Sequence, residues 1–216
     1  MARTGAQRTQ LSEERILDAA LEVVDAEGGD FSMRRLGDRL GVEAMSVYHY
    51  FASKDALIDA LVERALDRAT AQLDGLSWRE AVAQYARALR GVLLEHPGIG
   101  RLALGRSLLT PHGLQTIERM IELLTASGFT LTEAVDTVNV VAVFTVAHAV
   151  SEVDTRESSG QAMAAIADLA ETAPLLARAA STGSGTDDEH RFEFALNVLS
   201  LGLQAVLQHD EIGDVR

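Results

Sequence analysis

The sequence predicts an all-α fold, with a small N-terminal helical bundle leading into a larger helical body. Three observations carry this. Period-two alternation of apolar and polar residues is nearly absent, while apolar residues recur at helical spacing. Proline occurs only three times in 216 residues, so little interrupts long helices. The apolar stripes tend to open on Ser or Thr and to close on Gly, the residues that cap helix ends.

The first helix opens at Ser12, with Glu13 and Glu14 in its first turn. Its stripe is Ile16, Leu17, Ala20, Leu21 and Val24, and Gly28–Gly29 stops it. Ser32 caps a short helix that turns Met33, Leu36 and Leu40 inward. Gly41 ends it, three residues turn, and a second short helix runs over 44–50. Ser53 caps the next, with Leu57, Ile58, Leu61, Val62, Ala65 and Leu66 inward, continuing to Leu73 before Gly75.

Ser77 opens a helix that Pro97 breaks. A short helix over 100–109 follows, then a break at Pro111 and a helix over 112–126. Thr130 or Thr132 opens a long apolar helix ending near Asp154. Residues 156–189 read as mixed, with an Ala-rich piece at 162–171 and the loop "STGSGTDDE". A last helix spans 189–209. That makes about nine helices, dividing into residues 1–74 and 75–216.

Composition narrows the function classes. There is no cysteine, which excludes disulfides, thiolate metal sites and cysteine nucleophiles. The N-terminus "MARTGAQRTQ" lacks a signal-peptide core. The longest apolar run, "AVDTVNVVAVFTVAHAV", is broken by Asp136, Asn139 and His148, so no membrane span is expected and the cytoplasm is the default location. The net charge of −13 argues at first against nucleic acid. Its distribution is uneven: residues 1–54 carry −2 and the remainder −11, while residues 31–54 carry +2. An acidic body can therefore coexist with a locally basic face.

Residues 36–51 are the informative part. Two short helices joined by a three-residue turn containing glycine form the signature of a helix-turn-helix. In such a unit the second helix enters the major groove. Val42, Val47 and Phe51 face inward and lock it onto Leu36 and Leu40. Ala44, Met45, Ser46, Tyr48, His49 and Tyr50 remain outside. Hydroxyls suit phosphate oxygens, and Ala44 and Met45 suit thymine methyls. Ser32 and Ser53 stand at helix N-termini, which attract anions, and Lys54 is the only lysine in the chain. Alternatively Tyr48 and Tyr50 are core aromatics; Tyr48 shares a face with Phe51 less well than Val47 does, which favours exposure.

The segment "FSMRRLGDRLGVEAMSVYHYFASKDALIDAL" resembles the DNA-binding part of the TetR family of transcriptional repressors. The match covers about residues 11–66: a capped helix ending Leu-Gly-Val, a short recognition helix, Tyr-x-x-Phe, then Lys and Leu opening the next helix. The resemblance implies that Ser46, Tyr48, Tyr50 and Lys54 contact DNA, mainly phosphates, and that Arg34, Ala44 and Met45 approach bases. The body resembles the tetracycline-repressor subgroup more weakly, through "SWREAVAQYARALRGVLLEHPG" and "VFTVAHAVSE". It implies an inducer cavity in each subunit and a four-helix homodimer interface from the helices at 130–154 and 189–209. That subgroup holds its drug through a metal bound by a His and a Glu. Those positions fall near Ala103 and Ser151 here, so no metal and no other cofactor is expected.

The last helix is apolar nearly all round, which calls for cover on more than one side. A partner subunit would supply it, unless the helix is central to one monomer. In the long helix Asn139, Thr145 and His148 interrupt valines and alanines, and a buried Asn or His needs a partner. Candidate ligand-binding residues are Asn139 and His148, with Tyr85, Leu89, Leu102, Met120 and Phe144 as apolar walls. Asn139 can instead face the dimer seam.

The expected function is a ligand-responsive repressor that binds a palindromic double-stranded operator as a dimer and is released by a small-molecule inducer. An activator, or a regulator without an inducer, has the same sequence signature. An enzyme using His112, His148 and Glu152 is disfavoured, because no nucleophile elbow, paired-carboxylate motif or phosphate loop accompanies them.

Overall fold

The computed structural model of the chain describes residues 11–27, 32–68, 73–103, 111–167, 171–182 and 187–213. Every regular element among them is a helix: α1 (Glu13–Glu27), α2 (Met33–Leu40), α3 (Ala44–Tyr48), α4 (Lys54–Asp67), α5 (Trp78–Glu95), α6 (Pro97–Ala103), α7 (Pro111–Ala126), α8 (Leu131–Ala167), α9 (Pro174–Ser181) and α10 (Asp188–Gly213).

The expected caps close the helix starts. Ser32 accepts from the Arg35 amide, Ser53 from Ala56 and Ser12 from Arg15. Ser77 and Glu80 form a reciprocal capping box, and Ser77's hydrogen bonds hold the Glu80 carboxyl below its usual pKa. Of the two threonines considered for α8, Thr130 is the cap: its amide donates to Glu133, whose own amide donates back to the Thr130 hydroxyl.

Several boundaries differ from the sequence expectation. Helix α4 stops at Asp67, and Leu73 instead packs into the core of the body. Pro97 ends α5 and also opens α6 at the first helical position, where its missing N–H costs nothing. Helix α6 therefore starts three residues earlier than expected, and its predicted extension over 104–109 lies outside the described residues. The long helix does not end near Asp154. It runs 37 residues and absorbs much of the Ala-rich piece, because no proline and only Gly160 interrupts it. Helix α9 sits in the stretch read as mixed; "PLLARAAS", with Pro at its start, was its signal. The predicted Gly28–Gly29 stop and residues 183–186 of the "STGSGTDDE" loop also lie outside the described residues.

Two apolar clusters make the core. The first joins α1–α4 (Ile16, Val24, Leu36, Val47, Phe51, Leu57, Leu61) to Leu89 and Leu93 of α5, Ile99 of α6 and Val146 of α8. The second lies within the body and contains Trp78, Met120, Leu124, Phe129, Val138, Phe192 and Leu196. The head's core is thus continuous with one end of the body. Leu131–Arg156 is long and apolar enough to cross a membrane by length and composition. In the fold its Ala134, Val138, Val141 and Val146 face is buried and α8 packs on α5 and α7, as a core helix does.

Candidate nucleic-acid interface and effector-binding body

Helices α2 and α3 meet at a backbone contact. Gly41 ends α2 in the left-handed region (φ 69°), and its N–H donates to the Asp38 carbonyl. The Val42 amide returns to the Gly37 carbonyl at 3.0 Å. Gly37 is in contact with the turn itself: a Cβ there would stand 2.8 Å from the Val42 carbonyl oxygen. Val47 and Phe51 are buried beneath α3, as the sequence predicts, while Val42 is half-buried. The recognition helix is shorter than expected. It has five residues, and a tight turn through His49 and Tyr50 leads to Ser53.

The solvent face of this pair carries most of the predicted DNA-contacting residues. Met45 is 64% exposed and Tyr48 40%. Ser32, Arg34 and His49 are exposed, and Ser46 and Lys54 are half-buried. Ala44 departs from the expectation, since it packs partly against the core and presents little to a base edge. Tyr50 departs further. Its ring is half-exposed, but its hydroxyl donates to the Leu11 carbonyl at 2.6 Å. A phenol has one hydrogen to give, so Tyr50 fastens the chain ahead of α1 instead of offering a donor to phosphate. Arg39 pairs with Glu22, and Arg64 with Asp18, bracing α2 and α4 on α1.

In the body, Tyr85, Leu102, Phe144 and His148 are half-buried on the margins of the two clusters. Burial raises the Tyr85 phenol pKa. Leu89 and Met120 are fully packed core and have no surface to line a cavity in this conformation. Asn139 is exposed on the outer face of α8, beside Val140 and near Val135 and Val143, away from any interior site. The sequence could not fix which face it takes, because α8 is apolar on both.

His148 lies against Phe192 (ring centroids 5.2 Å apart) and Phe144 (5.6 Å). Its Nδ1 is buried without a hydrogen-bond partner, 3.8 Å from Glu152. Glu152 is itself fully buried, and its oxygens receive the Arg90 guanidinium in two parallel hydrogen bonds (3.0 and 3.2 Å) plus Arg156. Arg90 continues to Glu189 on α10 and covers the Phe192 ring at 4.7 Å. Burial opposes the Arg90 charge, but the hydrogen bonds to Glu189 and Glu152 outweigh it and raise its pKa. With two guanidiniums on Glu152, the His148–Glu152 pair has no free negative charge for a cation. The Arg90 ion cluster was not foreseen; its only sequence signal was Glu152 and Arg156 at i, i+4. His112 lies outside the residues whose side chains are described.

Burial lowers the His148 pKa below its ordinary 6.5, with Arg90 and Arg191 adding to the effect and Glu152 and Asp188 opposing it. The unfolded chain therefore takes up a proton near pH 6.5 that the folded chain refuses. Stability should fall as pH drops below about 6.5, by at most about 1.4 kcal/mol per pH unit for this one proton. Urea midpoints between pH 7.5 and 5.5 should decline less steeply in His148→Gln than in the wild type. Parallel slopes would show that His148 does not titrate differently on folding.

Comparison with known proteins decides the family. Residues 16–61 match the bacterial regulatory proteins of the tetR family, and residues 72–207 match the tetracyclin repressor-like C-terminal domain. The chain belongs to the TetR family. It is 33% identical to the HTH-type transcriptional repressor Rv1353c of Mycobacterium tuberculosis, over 94% of this chain and 81% of that one. A possible TetR family regulator from Streptomyces coelicolor A3(2) superposes with a TM-score of 0.77 at 33% identity, covering 90% of this chain and all of the other. ActR from Streptomyces coelicolor, solved in complex with actinorhodin, superposes at 0.78 with 28% identity, covering 92% and 99%.

In this TetR-family chain α8 and α10 each leave a row of apolar side chains uncovered. Helix α8 exposes Val135, Val140 and Val143, and α10 exposes Phe194, Val198, Leu201 and Val206. The opposite side of α10 buries Phe192 and Leu196 in the core. The all-round apolarity of α10 thus resolves into one packed face and one open face.

Proposed function

We propose that the chain is a dimeric, ligand-responsive repressor, with residues 1–74 as the DNA-binding head and 75–216 as the effector-binding and dimerisation body. The carrying observation is the α2–α3 unit. Its buried side locks into a core shared with the body, and its open side presents Met45, Ser46, Tyr48 and Arg34. The open apolar faces of α8 and α10 support pairing with a second copy, whose matching faces would cover them. Two heads then address successive major grooves, about 34–36 Å apart. A small molecule in the body would favour a different spacing of the heads and release the DNA. The relative bound to actinorhodin supports a small-molecule effector, and the half-buried Tyr85, Leu102, Phe144 and His148 are the candidate contacts. The relatives are regulators rather than enzymes, and the cytoplasm is the expected compartment.

A mobility-shift assay on duplex from the chain's own upstream region tests this. A saturable shift with two chains per palindrome is expected. Its dependence on salt should be shallow, because hydroxyls outnumber cations on the contact face. Tyr48→Phe should weaken binding by about 1 kcal/mol per half-site, one hydrogen bond each. Absence of any saturable shift with that DNA would sink the proposal.

A further inference from the structure

Among the described residues, two buried side-chain polar atoms lack a hydrogen-bond partner: Nδ1 of His148 and Nε of Arg191. They belong to different helices, α8 and α10, yet they share one neighbourhood. His148 meets Phe192, the residue after Arg191, with ring centroids 5.2 Å apart. Arg191 pairs with Asp188, Asp188 with Arg156, and Arg156 with Glu152, which lies 3.8 Å from His148 Nδ1. Unpaired buried polar groups are uncommon, and each calls for a partner.

Both atoms are donors. Arginine carries no acceptor. At His148 a bare Nδ1 would turn its lone pair toward the Glu152 oxygen, so the hydrogen sits on Nδ1. The missing partner is therefore an acceptor, and the nearby carboxylates are already engaged. Glu152 holds Arg90 and Arg156, and Asp188 holds Arg156 and Arg191. Rings flank the same place. Phe144 and Phe192 stack at 5.7 Å, and the half-buried Phe144 and His148 keep part of their surface open.

We propose that the meeting of α8 and α10 is a carboxylate-binding site, in which His148 Nδ1 and Arg191 Nε each donate to one oxygen of a small aromatic acid. The site rests on the ligand-responsive reading above and narrows it: the effector is an organic anion, and Arg191 joins His148 as a contact. A carboxylate suits two donors brought from two helices because its two acceptor oxygens lie side by side in one plane. The flat apolar body of the acid lies along Phe144 and the imidazole. Discrimination follows from the same geometry. A neutral amide of the same outline offers one oxygen and turns its NH2 toward the second donor, which then stays unpaired. A cation would meet two N–H groups beside three guanidiniums.

Nitrogen NMR of the full chain, labelled on histidine, reads the imidazole directly. The probes are sodium benzoate and sodium naphthoate, each beside its neutral amide. At least one acid should shift the His148 Nδ1 signal saturably, and its amide should bind on the order of tenfold more weakly, the loss of one charge-assisted hydrogen bond. Arg191→Gln should weaken the acid by a similar factor and leave the amide nearly unaffected. His148→Phe, which keeps a ring but removes the donor, should show the same loss for the acid by calorimetry. If Arg191→Gln fails to fold by circular dichroism, the acid and amide compared on the wild type decide. A His148 signal that neither acid moves overturns the site and leaves water as the partner of both donors. Equal binding of acid and amide overturns it too, as does undiminished acid binding by either variant. The mobility-shift assay separates the two readings. A chain that shifts duplex but binds neither acid loses the site alone, whereas one that binds an acid but no duplex keeps the site and loses the repressor reading.

Discussion

Replacing Gly37 with alanine should abolish operator binding while leaving the body folded. The added Cβ would lie 2.8 Å from the Val42 carbonyl oxygen, 3.1 Å from the Ala44 nitrogen and 3.3 Å from the Ala44 Cα. All three are backbone atoms of the turn and the first residue of α3, so no rotamer change can relieve the contact. The α2–α3 turn has to open. Helix α3 resists this poorly, because it has five residues and no side-chain cap at Glu43. It is held by Val47, Phe51 and the Val42–Gly37 hydrogen bond, which the substitution strains directly. Overpacking of this kind costs about 1–3 kcal/mol of stability. In the proposed dimer the effect on DNA is larger, since each of two heads is displaced. A loss of about 1.4 kcal/mol per half-site already multiplies to roughly a hundredfold in affinity. Gly41→Ala is the control. Its φ of 69° makes the substitution costly, yet no atom lies within 4 Å of the new Cβ. It should lower stability by about 1 kcal/mol and keep DNA binding measurable. Fluorescence anisotropy with labelled duplex, beside thermal melts, checks both; Gly37→Ala binding within about threefold of wild type would refute the steric argument.

What the sequence made legible was local. Ser12, Ser32, Ser53 and Ser77 were readable as caps because their partners lie three residues ahead, and each makes the expected bond. Val47 and Phe51 were readable as anchors because helical spacing and a short turn leave them one direction to face. What was hidden depended on distant partners. Tyr50 reads as a phosphate donor until Leu11, 39 residues away, takes its hydrogen. Gly37 was passed over in the sequence, and only the fold shows its close contact with the following turn. Asn139 and His148 both interrupt the same apolar run, yet one faces outward and the other lies against Phe192. Periodicity cannot separate them when both faces of α8 are apolar and only one of them is buried. Helix ends failed where the chain lacked a stop signal: α8 continued past Asp154 through residues with no proline to break it.

Removing one side of the Arg90–Glu152 pair should be among the most destabilising single changes in the body, while removing both sides should cost far less. Arg90 and Glu152 lie 62 residues apart, and both are buried. In Arg90→Ala the Glu152 carboxylate keeps Arg156 but loses two hydrogen bonds in a dry site, and Glu189 loses its guanidinium. Breaking a buried pair from one side costs about 3–5 kcal/mol; the retained Arg156 puts this case near the lower figure. For a chain of this size that corresponds to a drop in melting temperature of roughly 6–12 °C. Arg90→Met with Glu152→Leu removes both charges and fills similar volume, so the residual loss should be about 1 kcal/mol or less. The two substitutions are therefore strongly non-additive, with a coupling that a double-mutant cycle reads directly. The cluster also bears on function. It fixes the first turn of α10 to α5 and α8, and α10 carries Phe194, Val198 and Leu201 on its open apolar face, the face proposed to meet a second subunit. Arg90→Ala should accordingly weaken self-association measured by sedimentation more than its distance from that face suggests, and the double variant should restore it. If the double variant is as unstable as Arg90→Ala, the pair contributes through its shape and its contact with Phe192, not through compensation of charge.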